Sequence, residues 1–366
     1  MIEEDKHLNE EEKSLLKSVS FGRLMIPVVL GLGVVFFLIS RQLDLTELQR
    51  VRWDLATLWW LSMAIFMYVL RHLFYAYRLY YMTDKAFSFT KCIQLIVIWE
   101  FSSAISPTSV GGAGVAFLLL SQEKLPGEKT ITVVLYSMII DTIFILVLLP
   151  VLAVVFGAIS VRPGAVYFAD LDGYGVTLIS VLFFMLVYGF VFFYGLFINP
   201  NATKRMLFLI SSIPFLKRFK MDLRRTAVNM VTAAEVIKRK DYKFHAINFS
   251  LTAGAWTTRF MALNFIILAL ISGVDRTFLD QIYIFTRGIS MYVITAFSPT
   301  PGGAGIAEYL FGGFFSDYIP KSVGSLVALI WRLITYYPYL ILGAIIIPIW
   351  IRGIIVKRRL LRQQQT

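Results

Sequence analysis

The chain has 366 residues, of which 58% are apolar and 16% charged, with a mean hydropathy of +0.72 and a net charge of +12. Soluble domains carry about 25% charge, so the composition excludes an ordinary soluble fold, and the positive balance reads as loop bases meeting anionic lipid rather than nucleic acid. The single cysteine, Cys92, excludes an intrachain disulfide framework and a thiolate metal cluster; it reads as a small membrane-facing residue.

Residues 1–20 mix acid and base (Glu3, Glu4, Asp5, Lys6, Glu10, Lys13, Lys17) and form a polar segment before the first apolar run at Leu24. No small-residue cleavage site follows that run, so a cleaved signal peptide is not expected. Apolar stretches near the length of about 20 residues that crosses hydrocarbon predict six continuous spans, at 24–40, 55–71, 131–157, 176–198, 246–272 and 323–350. Residues 199–245 form a basic linker with a helix expected from Met221 to Lys240, either a solvated connector or a basic interfacial helix on anionic lipid. Residues 356–366 are a basic tail. The histidines, His7, His72 and His245, lie outside or at the ends of apolar runs, so histidine-dependent intramembrane chemistry has no base.

Two further apolar regions, 92–120 and 282–311, are interrupted by one repeated phrase. Its copies are Ser106-Pro107-Thr108-Ser109-Val110-Gly111-Gly112-Ala113-Gly114 and Ser298-Pro299-Thr300-Pro301-Gly302-Gly303-Ala304-Gly305. Proline and paired glycines break helices, and a bilayer tolerates broken backbone only where protein or water covers it. Helices are expected to resume at Val115 and Ile306, with free N–H groups facing each break.

Charge decides how the broken regions run. If the N-terminus is cytoplasmic and 92–120 crosses once, the strongly basic loop at 199–245 falls outside, against the positive-inside rule. If 92–120 enters and leaves on one side, that loop falls inside and the acidic loop with Asp170 and Asp172 falls outside. The same rule for 282–311 places the tail inside. The expected fold is an all-α polytopic membrane protein, a single domain over 21–355. It is an inverted-topology repeat (about 55–157 and 246–350) with two re-entrant helical hairpins and about six full spans, both termini being cytoplasmic.

The candidate site follows from that geometry. Gly111, Gly112, Gly114, Gly302, Gly303 and Gly305 would shape the tips, with hydroxyls from Ser106, Thr108, Ser298 and Thr300; tight helix packing is the other reading of these small residues. Ionisable residues in apolar sequence are functional candidates by default: Glu100, Asp141, Arg259, Arg287, Glu308 and Arg332. The internal offset sets Arg332 opposite Asp141, where the two could pair. Arg259, Arg287 and Arg332 suit an anionic headgroup, which guanidinium grips in bidentate fashion. Glu308, Asp141 and Glu100 are the candidate coupling groups. Arg71 and Arg78 read as snorkelling anchors, and Trp59-Trp60 and Tyr336-Tyr337 as interfacial aromatics.

The paired Ser-Pro-Thr and Gly-Gly-x-Gly motifs, the second ending in Glu308, resemble the membrane domain of lysylphosphatidylglycerol synthases and their stand-alone, flippase-like relatives. Tyr77-Arg78-Leu79, Asp141 and Trp331-Arg332-Leu333 with Pro338 are similar to the same pattern, over about residues 20 to 355. The resemblance implies a translocase for a phosphate-bearing membrane lipid in the inner membrane, needing no cofactor or metal and making no nucleic-acid contact. The family's synthetase domain is not in these 366 residues, so lysyl transfer by this polypeptide is not expected, and the reading is transporter-like rather than enzymatic. The alternatives are a membrane subunit presenting lipid to a separate transferase that docks on 199–245, and a structural protein with tightly packed glycine hairpins.

Overall fold

The computed structural model describes residues 45–49, 51–106, 109–170, 172–210, 220–298, 300, 303 and 305–363. The expected span at 24–40 lies outside the described residues. Among them the protein is helical, without strands, and five helical segments are long and apolar enough to cross a bilayer. It is an integral membrane protein.

The helices are α1 (Leu55–Met82), α2 (Phe89–Ile105), α3 (Ser109–Gln122), α4 (Gly127–Phe156), α5 (Gly173–Phe193), α6 (Pro200–Ile210), α7 (Lys220–Lys238), α8 (Tyr242–Leu270), α9 (Phe278–Ala296), α10 (Ile306–Phe314), α11 (Gly324–Thr335) and α12 (Tyr337–Gln363). Polar caps set many of the starts. The side chains of Asp54, Ser88, Asp172, Asp241 and Thr277 each accept a first-turn backbone N–H, of Thr57, Lys91, Tyr174, Phe244 and Asp280 respectively. Asp84 and Lys85, both at positive φ, turn the chain after α1, and Gly157 at φ +78° turns it after α4.

α1 and α8 lie side by side and antiparallel. Trp60 stacks on Phe265, Tyr68 packs with Ala262, Phe74 abuts Gly254 and Tyr81 stacks on Phe244, so partner numbers fall as those of α1 rise. α8 is the central helix, with 61% of its most apolar window buried. In α5 that share is 11%, and the helix turns Val176, Ile179, Phe183, Phe184 and Phe190 outward. Such a face is stable only against hydrocarbon.

Two apolar cores share α4 and α8. One gathers α1, α2, α3 and α7 around the first half of α4, up to Ile140. The other gathers α9, α10 and α11 around α4 from Phe144 onward and α8 from Trp256 onward. Asp141 falls at the seam.

Helices α2 and α3 double back together. Lys91 in the first turn of α2 pairs with Glu123, just past α3, at 2.7 Å. Asp84 at the same end pairs with Lys240 (2.7 Å) and Lys129 (3.0 Å), joining the starts of α4 and α8. α9 and α10 do the same at the other end: Asp280 in the first turn of α9 accepts from the Tyr318 hydroxyl at 2.8 Å, and Arg287 reaches Asp317 at 2.6 Å. Asp172 and Arg162 (2.7 Å) sit there, as does Glu47, which accepts the Leu326 N–H at 2.8 Å near the start of α11.

Several expectations change. The span expected at 55–71 runs on to Met82, so His72 lies within a membrane-length helix and not at its end. The span expected at 323–350 is broken at Tyr336 (φ −121°, ψ −55°), one residue before α12 opens with Tyr337-Pro338. Proline disfavours helical backbone just before it and donates no N–H. Tyr337 is 1% exposed and Tyr336 donates to the Ala104 carbonyl at 3.0 Å, so this pair is internal and not interfacial. Cys92 is fully buried within the first core. The helix expected from Met221 to Lys240 appears as α7, packed on α4, where the Thr132 hydroxyl donates to the Ala233 carbonyl at 3.5 Å.

Candidate functional site

A cavity of about 290 Å³ opens at the seam between the two cores. Both broken segments reach it: Ser106 and Ala113 from the first, Thr300, Gly303 and Ala307 from the second. The break between α11 and α12 reaches it too, through Arg332, Thr335, Tyr336 and Tyr339.

The arginines of α1 build one wall. Arg71 donates from Nη2 to both oxygens of Glu100 at 2.9 Å and from Nη1 to the Tyr339 hydroxyl at 2.9 Å. Arg78 donates to Asp141 at 2.6 and 3.1 Å and to the Thr252 hydroxyl at 2.8 Å. Both guanidiniums flank the Tyr75 ring, at 4.8 and 4.7 Å from its centroid. The Trp256 indole N–H also donates to Asp141, at 3.0 Å. The two arginine side chains are 2% and 8% exposed. They are therefore internal counter-ions rather than snorkelling anchors. The i, i+4, i+7 spacing of Arg71, Tyr75 and Arg78 on one helix face was the available signal.

Arg259 differs. Its guanidinium lies over the rings of Tyr292 (4.7 Å) and Trp256 (5.4 Å) and has no carboxylate at ion-pair distance among the described residues. Arg332 is 1% exposed, with its guanidinium 5.3 Å from the Tyr336 ring. The expected pairing of Arg332 with Asp141 does not form. Asp141 takes Arg78 of α1 instead, which meets the carboxylate with two N–H groups. Arg287 stands apart from the cavity: it is fully buried, bonded to Asp317 and to the Ile159 carbonyl at 2.9 Å.

The two tips are built differently. α3 begins at Ser109 rather than Val115, so Gly111, Gly112 and Gly114 sit in its first turns. A Cβ on Gly112 would lie 1.8 Å from the Ser103 Oγ of α2. In the second copy Gly303 (φ +67°) and Gly305 (φ +82°) take left-handed backbone, and α10 begins at Ile306 as expected. Ser298 and Thr300 bond each other through their hydroxyls at 2.8 Å. Thr108 and Gly302 lie outside the described residues, and Glu308 falls in α10 with its side chain outside them.

The fold and site define a class: an all-helical integral membrane protein whose broken helices converge on an arginine-rich cavity. Residues 24–343 match the family described as lysylphosphatidylglycerol synthase TM region, and the chain belongs to that family. It is similar to a UPF0104 membrane protein of Archaeoglobus fulgidus, at 23% identity over 344 residues, covering 88% of this chain and 95% of the relative. No solved structure matches it.

Proposed function

We propose that the protein is a lipid translocase that passes a phosphate-bearing headgroup across the inner membrane through this cavity. In this reading α2–α3 and α9–α10 are re-entrant hairpins of an inverted-topology repeat, entering from opposite faces, and both termini are cytoplasmic. The observation that carries the proposal is Arg259: a guanidinium on the wall of a cavity shared by both broken segments, with aromatic rings beside it and no carboxylate within ion-pair distance among the described residues, Glu100 acting on it only from further off. A cation inside the bilayer is costly, and an anionic ligand offsets that cost. The volume, near the lower limit of about 300 Å³ for ligand pockets, fits a headgroup and leaves the acyl chains in the bilayer. Ser106, Thr300 and Arg332 complete the lining.

The test is flipping of a labelled anionic phospholipid in reconstituted vesicles. A hydrogen bond to a charged group contributes roughly 1.5–3 kcal/mol, so Arg259→Gln should slow flipping about ten- to a hundredfold while the protein stays folded. Wild-type rates from the variant would remove Arg259 from the site. The second reading, a membrane subunit serving a transferase, draws on the exposed bases Arg205, Arg224, Lys238 and Arg239 of the linker. Retained lipid without flipping by the wild-type chain would favour it.

A further inference from the structure

A titratable group bonded to the cavity wall, though not itself part of the lining, is left unused by the preceding reading. His72 lies within α1, and its Nδ1 is 3.1 Å from the Tyr339 hydroxyl of α12. That oxygen already accepts from Arg71, 2.9 Å away. A guanidinium only donates, so the hydroxyl's own hydrogen is free to point at the imidazole. Nδ1 is then the acceptor, and neutral His72 is the Nε2–H tautomer. Its Nε2 is buried without a well-aligned hydrogen bond among the described residues, and the Ile93 backbone of α2 interacts with the ring.

The neighbouring acids are already committed. Glu100 takes two bonds from Arg71, and Asp141 takes bonds from Arg78 and Trp256. A proton on either carboxylate leaves a buried arginine without its counter-charge. A proton on His72 strips nothing of its counter-ion. It adds to the Nδ1 lone pair, from water in the cavity by way of the Tyr339 hydroxyl, which lines that cavity. The protonated Nδ1 is then a donor, so the Tyr339 hydrogen must turn away from the imidazole, and two cations, Arg71 and His72, sit within hydrogen-bond distance of one oxygen. Arg71 and Glu100 act on His72 electrostatically and the Tyr339 ring lies 5.7 Å from it; Tyr68 and Tyr75 flank Arg71, and Arg259 of α8 and Arg332 of α11 line the same cavity.

We propose that His72 is a proton-binding site, and that a proton there separates Tyr339 from α1 and loosens α12 at the cavity wall. The use of that proton to drive lipid movement rests on the translocase reading; the proton site itself does not.

With only three histidines in the chain, ¹⁵N-histidine NMR of the full-length protein in nanodiscs can resolve His72, assigned by loss of its signals in His72→Gln. The expected result is the Nε2–H tautomer at high pH and the doubly protonated ring after acidification across about pH 8 to 5, with the tautomer preference lost in Tyr339→Phe. A second readout is alkylation of a cysteine at position 106 (Ser106→Cys in a Cys92→Ala background), which should speed up with protonation and lose its pH dependence in His72→Gln. A ring that stays neutral across the range, or alkylation whose pH dependence survives His72→Gln, overturns the proposal. Lipid flipping forms the third arm. If alkylation follows His72 while the wild-type protein flips no lipid at any pH, the proton site stands and the translocase reading falls.

Discussion

At the scale of single residues, the chain sets charge inside a membrane and neutralises most of it locally. A guanidinium in hydrocarbon is tolerated when its N–H groups meet a carboxylate face-on. Arg71 with Glu100 and Arg78 with Asp141 both do so, and Tyr75 fills the space between the guanidiniums. The Arg71 pair ties α1 to α2, so its loss is a loss of fold. Removing one partner of a buried pair leaves the other charge uncompensated, at about 3–5 kcal/mol. The Glu100 side chain is 23% exposed toward the cavity, which places Glu100→Gln at the lower edge of that range, about 2–4 kcal/mol. The expected outcome is a clear fall in Tm for purified Glu100→Gln and recovery of most of it in Arg71→Met/Glu100→Leu, where neither member of the pair is left charged. A double variant no more stable than the single one would mean that the pair does more than hold two helices together.

At the scale of the helix, one repeated phrase serves two physical ends. In α3, Gly112 is a contact residue that lets the helix close onto Ser103 of α2; in the second copy, Gly303 and Gly305 supply backbone angles that L-residues avoid. The same Gly→Ala change therefore acts by different means. Gly112→Ala forces α2 and α3 apart and should lower Tm and expression. Gly305→Ala meets no neighbour within 4 Å but strains the backbone, by roughly 1–2 kcal/mol. Gly114→Ala has open space and helical backbone and should be neutral or slightly stabilising in the same thermal-melt series. Both breaks were legible in the sequence because proline and glycine act locally. The break before Tyr337-Pro338 was less so, since one proline near a helix start leaves a long apolar run intact. The extension of α1 to Met82 was hidden as well: Arg71 and Arg78 end an apolar window, yet their partners Glu100 and Asp141 lie 29 and 63 residues away. Arg287 shows the converse, since its partner Asp317 sits in a polar loop and its place in apolar sequence alone pointed to the cavity.

At the scale of the whole molecule, the two ends differ in charge and each closes one helix pair. The end with Lys85, Lys91, Lys124, Lys129, Lys238, Arg239 and Lys240 holds the open base of α2–α3 through Lys91 and Glu123. The other end, with Asp54, Asp170, Asp172, Asp275 and Asp317, holds the base of α9–α10. In the proposed topology the positive-inside rule turns the basic end to the cytoplasm, and that proposal assigns a side to each exposed residue that flanks a pair. Cysteines at Lys85 and Lys124 stand on either side of α2–α3, and cysteines at Asp275 and Ser316 on either side of α9–α10; all four positions are exposed. In sealed inner-membrane vesicles of known orientation, an impermeant maleimide should reach 85 and 124 from the cytoplasmic face only, and 275 and 316 from the opposite face only. A segment that crossed the bilayer once would put 85 and 124 on different sides, however apolar its sequence. That result would separate the two bases from the two membrane faces and leave the shared cavity with no route from one leaflet to the other.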